Sequence, residues 1–131
     1  MSNADIIRAH YAASDRGDLA GMLAPLADDV RWTEAEGFPY AGTYIGPHAV
    51  AENVFARIQR DFEGFMLTVD ELIDGGDAVV GLGTYSGTYR ATDRPFSARV
   101  AHIWHLADGK VTTFEQVTDT EVVNRAVVDR G

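Results

Sequence analysis

The sequence predicts an α+β fold: a curved, mainly antiparallel sheet with N-terminal helices packed on its concave face. Three observations carry this. Helical periodicity is confined to the stretch up to residue 62, where apolar residues recur every three to four positions. From Phe65 onward the period changes to two, as expected of strands with one buried face. The strand region is interrupted by Gly81, Gly83 and Gly87, and glycines inside strands mark bulges or strong bending. Helices followed by a strand meander indicate α+β rather than alternating βαβ units. A bent sheet with helices on one side encloses space, the usual form of a small-ligand site.

Ser2 and Asp5 have capping-box spacing, and behind them Ile7, Tyr11 and Ser14, flanked by Ile6, Ala9 and Ala13, predict a helix ending at Gly17. Asp18 caps a short second helix with the stripe Leu19, Met22, Leu23 and Leu26, disturbed at its end by Pro25. Val30–Glu34 reads as a short strand, and Glu36–Gly46, rich in Gly, Pro and aromatics, as mostly loop. Pro47 suits a first helical position. Val50, Val54, Ile58 and Phe62 then mark one face of a third helix. Strands follow at Phe65–Ile73, Ala78–Arg90, Phe96–Ala107 and Val111–Asp119, with turns at Asp74–Asp77 and Asp108-Gly109. The tail from Thr120 is expected either to add a last helical turn or to fray.

The chain has 131 residues, which fits a single domain spanning 1–131. It lacks cysteine, so disulfides and thiolate metal sites are excluded and a cytoplasmic location is expected. The net charge of −9 repels phosphate backbones and anionic lipid heads, so neither nucleic acid nor membrane is an expected partner. The first residues carry no basic charge or long apolar run of the kind a signal segment needs.

If the Asp108-Gly109 hairpin is regular, Leu106 opposes Val111, Trp104 opposes Thr113, His102 opposes Glu115 and Val100 opposes Val117. One face then carries Phe96, Val100, His102, Trp104, Glu115, Val117 and Asp119. The other carries Arg99, Ala101, Ile103, His105, Phe114, Gln116 and Thr118. Both faces are partly apolar, so the pattern leaves open which one lines the cavity. His102 beside Glu115 either polarises a ligand carbonyl or forms a structural pair. Trp32 and Glu34 share a strand face, as a pocket wall with a carboxylate or as an anchor with a solvated charge. Phe38, Tyr40 and Tyr44 form either a lid or loop packing, and Tyr85 either donates into the cavity or packs. No metal site is expected, because His102 and His105, three apart on a strand, face opposite ways. There is no His-Glu-x-x-His, phosphate-cradling glycine or Gly-x-Ser-x-Gly motif.

Tyr11, Gly17-Asp18-Leu19 and Leu26-Ala27-Asp28-Asp29-Val30-Arg31-Trp32 together resemble the opening of nuclear-transport-factor-2-like domains. The run Gly37-Phe38-Pro39-Tyr40-Ala41-Gly42-Thr43-Tyr44-Ile45-Gly46-Pro47, with Asp108-Gly109-Lys110-Val111, Phe114 and Asp119, resembles the SnoaL-like, ketosteroid-isomerase-related branch. The resemblance implies a cystatin-like cone-shaped roll. It also implies a last-strand aspartate, Asp119, as acid/base, set in the cavity with His102 and Trp32. The chemistry implied is cofactor-free proton transfer, of isomerase or cyclase type, on a small apolar carbonyl compound. Asp119 would move the proton while His102, with Tyr85, stabilises the enolate. Trp32, Glu34, Tyr40, Tyr85, Val100, Trp104, Glu115 and Val117 would contact the substrate. The competing reading of Asp119 is a cap on a helix from Thr120. Two competing functions stand beside the enzyme: a non-catalytic ligand-binding or dimer-scaffold domain, and an epoxide hydrolase using Arg99 and Asp119. A homodimer is expected through an outer face carrying Ala101, Ile103 and Phe114.

Overall fold

Three of the helices begin where a side chain satisfies free backbone amides, and the stretch from Pro47 begins without such a cap. In the computed structural model, which describes residues 1–128, Ser2 accepts from the Asp5 amide and Asp5 answers to the Ser2 amide, completing the capping box of α1 (Asn3–Asp15). Asp18 caps α2 (Leu19–Leu23) through the Gly21 amide. The third helical stretch is continuous: α3 (Pro47–Val50), a π-helical turn (Ala51–Phe55) and α4 (Ala56–Asp61). A final helix, α5 (Thr120–Val127), follows the last strand. The last three positions of the 1–131 span lie outside the described residues.

The strands are β1 (Leu26–Glu34), β2 (Gly42–Ile45), β3 (Phe62–Asp74), β4 (Ala78–Tyr89), β5 (Arg94–Ala107) and β6 (Lys110–Thr118). They form one curved, unclosed sheet in the order β2-β1-β6-β5-β4-β3. Every pairing is antiparallel except β1 with β6. The mainly antiparallel expectation therefore holds. The loop expected at Glu36–Gly46 contains β2, whose exposed, glycine-started edge gives little alternation to read.

The helices cover the concave face. Ile7 and Tyr11 of α1, with Val50 and Val54, pack on Val30, Trp32, Val79, Trp104, Leu106 and Phe114 of the sheet. A second cluster at the other end joins Phe38, Tyr40, Phe62, Tyr85, Phe96 and Val100 to Val123 and Ala126 of α5. Rings dominate the interior, with Trp32 and Phe114 stacked at 3.7 Å between centroids and Trp32 edge-on to Trp104 at 5.6 Å.

The hairpin between β5 and β6 departs from the regular register. Leu106 does oppose Val111, but an irregularity between His105 and Leu106 shifts everything before it. Trp104 opposes Phe114, His102 opposes Gln116 and Val100 opposes Thr118. Because side chains alternate, a one-residue slip exchanges the faces of a strand. Phe114 and Gln116 point inward and are buried, whereas Glu115 is exposed and Val117 is 48% exposed. Glu115 and Val117 thus leave the predicted site, and Phe114 leaves the predicted outer face.

Candidate functional site

Gly81 decides how close α1 comes to the sheet. A Cβ there would sit 2.3 Å from the Tyr11 hydroxyl, so only glycine lets that phenol reach the strand. Gly81 opposes His102 on β5, and Tyr11 consequently meets the imidazole: Tyr11 Oη lies 2.9 Å from His102 Nδ1. Trp104 Nε1 donates to the same Tyr11 oxygen at 2.9 Å. On the other side, His102 Nε2 lies 2.6 Å from Tyr85 Oη. Gln116 Nε2 donates to Tyr85 Oη at 3.1 Å, and its Oε1 accepts the Ala35 amide at 3.0 Å. This chain of polar groups runs through the ring-lined core, and every side chain in it is buried.

Glu34 ends β1 beside this chain, immediately before Ala35. Its Oε1 accepts from Trp32 Nε1 at 3.2 Å. Its Oε2 is buried without a hydrogen-bond partner. Loss of hydration disfavours the carboxylate and pushes the carboxyl up to about 7, against the smaller opposing effect of the Trp32 bond. Burial raises the Tyr85 hydroxyl well above its ordinary value, and the Glu34 charge adds to that. Burial keeps His102 neutral, lowering it to about 3, with nearby His10 adding to the effect. His10, 4% exposed, bonds Met22 O through Nδ1 at 2.9 Å and is lowered to about 4, again by burial.

A loop from Ala35 to Ala41 closes over this end. Phe38 is buried with its ring 6.5 Å from that of Tyr85. Tyr40 is anchored away from His102: its hydroxyl lies 2.6 Å from Asp61 Oδ2 and 3.1 Å from Arg57 O. Asn124 of α5 donates to Gly37 O at 2.6 Å, tying the loop to the last helix.

Asp119 does not share the interior. It is exposed, and its Oδ1 accepts the Val122 amide at 3.2 Å, so it is the N-cap of α5. The expectation that it faces His102 and Trp32 is corrected: β6 ends at Thr118, and the chain turns outward into a helix whose free amides Asp119 satisfies. Arg99 lies on the outer face, paired with Asp70 and bonded to Thr84 Oγ1 at 3.0 Å. Arg99 meets Asp119 through the backbone, the Asp119 amide donating to Arg99 O at 3.3 Å, while its guanidinium is held by Asp70 and Thr84 and not by the Asp119 carboxylate. Trp32, Glu34, Tyr85, Val100, His102 and Trp104 do converge on the concave side. Sequence reasoning missed Tyr11, read as a helix-stripe residue, and Gln116, which the regular register placed outside. His105 is exposed, as its alternation predicts, and no group of metal-ligating residues occurs among the described residues. Two concavities of about 390 and 310 Å³ lie elsewhere, beside Phe96 and Arg125 and beside Tyr89 and Arg60. Neither is lined by Glu34, Tyr85 or His102.

The model of the SnoaL-like domain matches residues 7–114. No curated protein matches the chain. Among solved structures, the chain is similar to an NTF2-like protein from Burkholderia thailandensis E264, at 46% identity over 98% of this chain and 99% of that one, with a TM-score of 0.97. It is also similar to an NTF2-like protein of unknown function from Burkholderia pseudomallei K96243, at 33% identity over 98% and 100%, with a TM-score of 0.89. TerC, co-crystallised with polyporic acid, is 29% identical over 95% and 97%, with a TM-score of 0.85. No helix among the described residues is long and apolar enough to cross a membrane.

Proposed function

The chain belongs to the SnoaL-like family, and on that footing we propose that it is a cofactor-free proton-transfer enzyme, of isomerase or cyclase type, acting on a small apolar carbonyl compound. The observation that carries the reading is the unpartnered, buried Oε2 of Glu34, whose charge acts on the buried, hydrogen-bonded hydroxyl of Tyr85. Glu34 is the acid/base. Its Oε2 takes a proton from the carbon next to the substrate carbonyl, the C–H electron pair moves into the enolate, and negative charge collects on oxygen. Tyr85, itself buried, donates a hydrogen bond to that oxygen. The proton returns from Glu34 to a different carbon in an isomerisation. In a cyclisation the enolate carbon bonds to a second carbonyl carbon and the proton returns to its oxygen. A carboxyl held near neutral pH suits both removal and return. Trp32, Val100 and Trp104 are the apolar walls, and Phe38 is the group a substrate displaces. The polyporic acid bound to TerC supports a small organic ligand for this fold.

The test is carbon-bound hydrogen exchange in heavy water across a panel of small enolisable ketones, followed by NMR. Exchange above the buffer rate is expected, with a loss of roughly 10²- to 10⁴-fold in Glu34→Gln, the range for removing a general acid–base. No exchange with any panel member, or unchanged exchange in the variant, contradicts the reading.

A non-catalytic binding role is favoured by one observation, that Tyr11, His102, Tyr85 and Gln116 are hydrogen-bonded to one another within the fold. It predicts ligand binding without exchange, unaffected by Glu34→Gln. We also propose a homodimer through the outer face, where Ala101, Ile103, Val117, Val80 and Leu82 form an apolar patch across β4, β5 and β6.

A further inference from the structure

The donors and acceptors around His102 can be counted one by one, and the count leaves two directions, each with one tyrosine proton unpartnered within the chain of bonds. Trp104 Nε1 only donates, so Tyr11 Oη accepts there. Tyr11's own proton then needs an acceptor in a closed interior, and the one within reach among its recorded partners is His102 Nδ1. The opposite direction, with Nδ1–H donating, would leave the Tyr11 proton over; the direction taken here frees instead the Tyr85 proton, on the phenol that the Glu34 charge acts on, and Glu34 Oε2 is an unpartnered acceptor. At the far end the Gln116 amide is oriented by the Ala35 N–H, which requires Oε1 and so turns the Nε2 hydrogens toward Tyr85. A neutral imidazole that accepts at Nδ1 carries its hydrogen on Nε2 and donates to Tyr85 Oη. Tyr85 Oη then receives two donors, from His102 and Gln116, and its own hydrogen has no acceptor among the recorded bonds. The one buried side-chain acceptor left without a partner is Glu34 Oε2.

We propose that Trp104, Tyr11 and His102 form a one-way hydrogen-bond relay that fixes His102 as the Nε2–H tautomer and makes Tyr85 a dedicated donor toward the ligand. Tyr11 and His102 are positioning residues: they touch no reacting atom and act through Tyr85. Two incoming hydrogen bonds polarise the Tyr85 O–H and fill its lone pairs, so the hydroxyl has nothing left to offer a ligand but its proton. The site thereby selects a ligand oxygen that accepts, a carbonyl or enolate, over a hydroxyl that donates. The relay needs His102 uncharged, since an imidazolium would aim a hydrogen at Tyr11 Oη and reverse the first link. Tyr11, Tyr85, Trp104, Phe114 and His10 surround the ring, and none of them supplies a negative charge to hold an imidazolium. His10 takes the other tautomer, because its Nδ1 faces the Met22 carbonyl, which only accepts.

The inference deepens the proton-transfer reading and rests on it for the role of Tyr85, but the tautomer is measurable without any substrate. Long-range ¹H–¹⁵N correlation spectra of the whole protein at neutral pH assign the protonated nitrogen of each histidine. The expected result is hydrogen on Nε2 of His102 and on Nδ1 of His10. The same spectrum is taken of Tyr85→Phe, which removes the acceptor for Nε2–H but leaves Tyr11 in place. His102 is expected to keep its Nε2 hydrogen there, because Tyr11 sets the tautomer. Hydrogen on Nδ1 of His102 in the wild type, a doubly protonated ring, or a switch to Nδ1–H in Tyr85→Phe each overturns the relay. Failure of the ketone exchange assay with the Nε2–H tautomer intact would instead discard the proton-transfer reading and leave the hydrogen-bond direction standing.

Discussion

Replacing Asp119 separates a helix cap from a catalytic acid. Its one recorded side-chain bond is to the Val122 amide at the start of α5. Asp119→Ala removes that acceptor and the negative charge at the helix N-terminus, a loss of about 1 kcal/mol within the usual 0.5–2 range. At about 2.1 cal/mol/K of unfolding entropy per residue, a chain of 131 residues has roughly 275 cal/mol/K. The melting temperature should therefore fall by about 4 °C. Asp119→Asn keeps the capping oxygen, and the fall should shrink to less than half. Because Asn124 holds Gly37 O, amide exchange should quicken in α5 and in the Ala35–Ala41 loop together. Calorimetry and hydrogen exchange measure both effects. A melting temperature unchanged in Asp119→Ala, or Asn as damaging as Ala, would refute the capping account.

Gly81→Ala drives a methyl into the Tyr11 hydroxyl, so stability should drop by about 1–3 kcal/mol in chemical denaturation, and an unchanged midpoint would mean that the close approach is unimportant. Acid stability follows from the buried groups. His10 and His102, lowered from 6.5 to about 4 and about 3, contribute stability that is full above 6.5 and is lost as pH falls toward those values. Glu34, raised from 4.5 to about 7, contributes stability that is full below 4.5 and is lost as pH rises through about 7. Between pH 6.5 and 4.5 the two histidines together outweigh the single carboxyl, so these groups lose stability on acidification, on the order of 1 kcal/mol per pH unit. In Glu34→Gln the opposing group is gone and the slope should steepen to roughly twice that; urea midpoints that run parallel in both proteins over this range would contradict it.

The parts of this fold that local chemistry determines were legible in the chain. The Ser2–Asp5 box, the Asp18 cap and the Asp108-Gly109 turn each lie where their residue types place them, with Asp108 and Gly109 at the positive φ of 51° and 74° that such a turn requires. The alternation of Trp32 and Glu34, and of His102 and Trp104, likewise placed each pair on one strand face, and the structure turns both faces inward. The irregularity at His105–Leu106 was not legible, since no glycine or proline marks it, and its consequence spread along β6. It exchanged Glu115 and Val117 for Phe114 and Gln116 on the inner face. Asp119 shows a different limit. An aspartate at the end of a strand suits a pocket acid and a helix cap equally well, and the choice depends on whether the strand continues through it. Here β6 stops one residue earlier.

The claim that matters most is that Glu34 is a buried carboxyl poised for proton exchange near neutral pH. Its side-chain carboxyl carbon, labelled with ¹³C and followed by NMR through a pH titration of the folded protein, tests this without a substrate. The account predicts a midpoint near 7, with the Tyr85 ring signals shifting at the same midpoint because the Glu34 charge reaches them. A Glu34 midpoint at the ordinary glutamate value of about 4.3, with Tyr85 indifferent to it, would contradict the account.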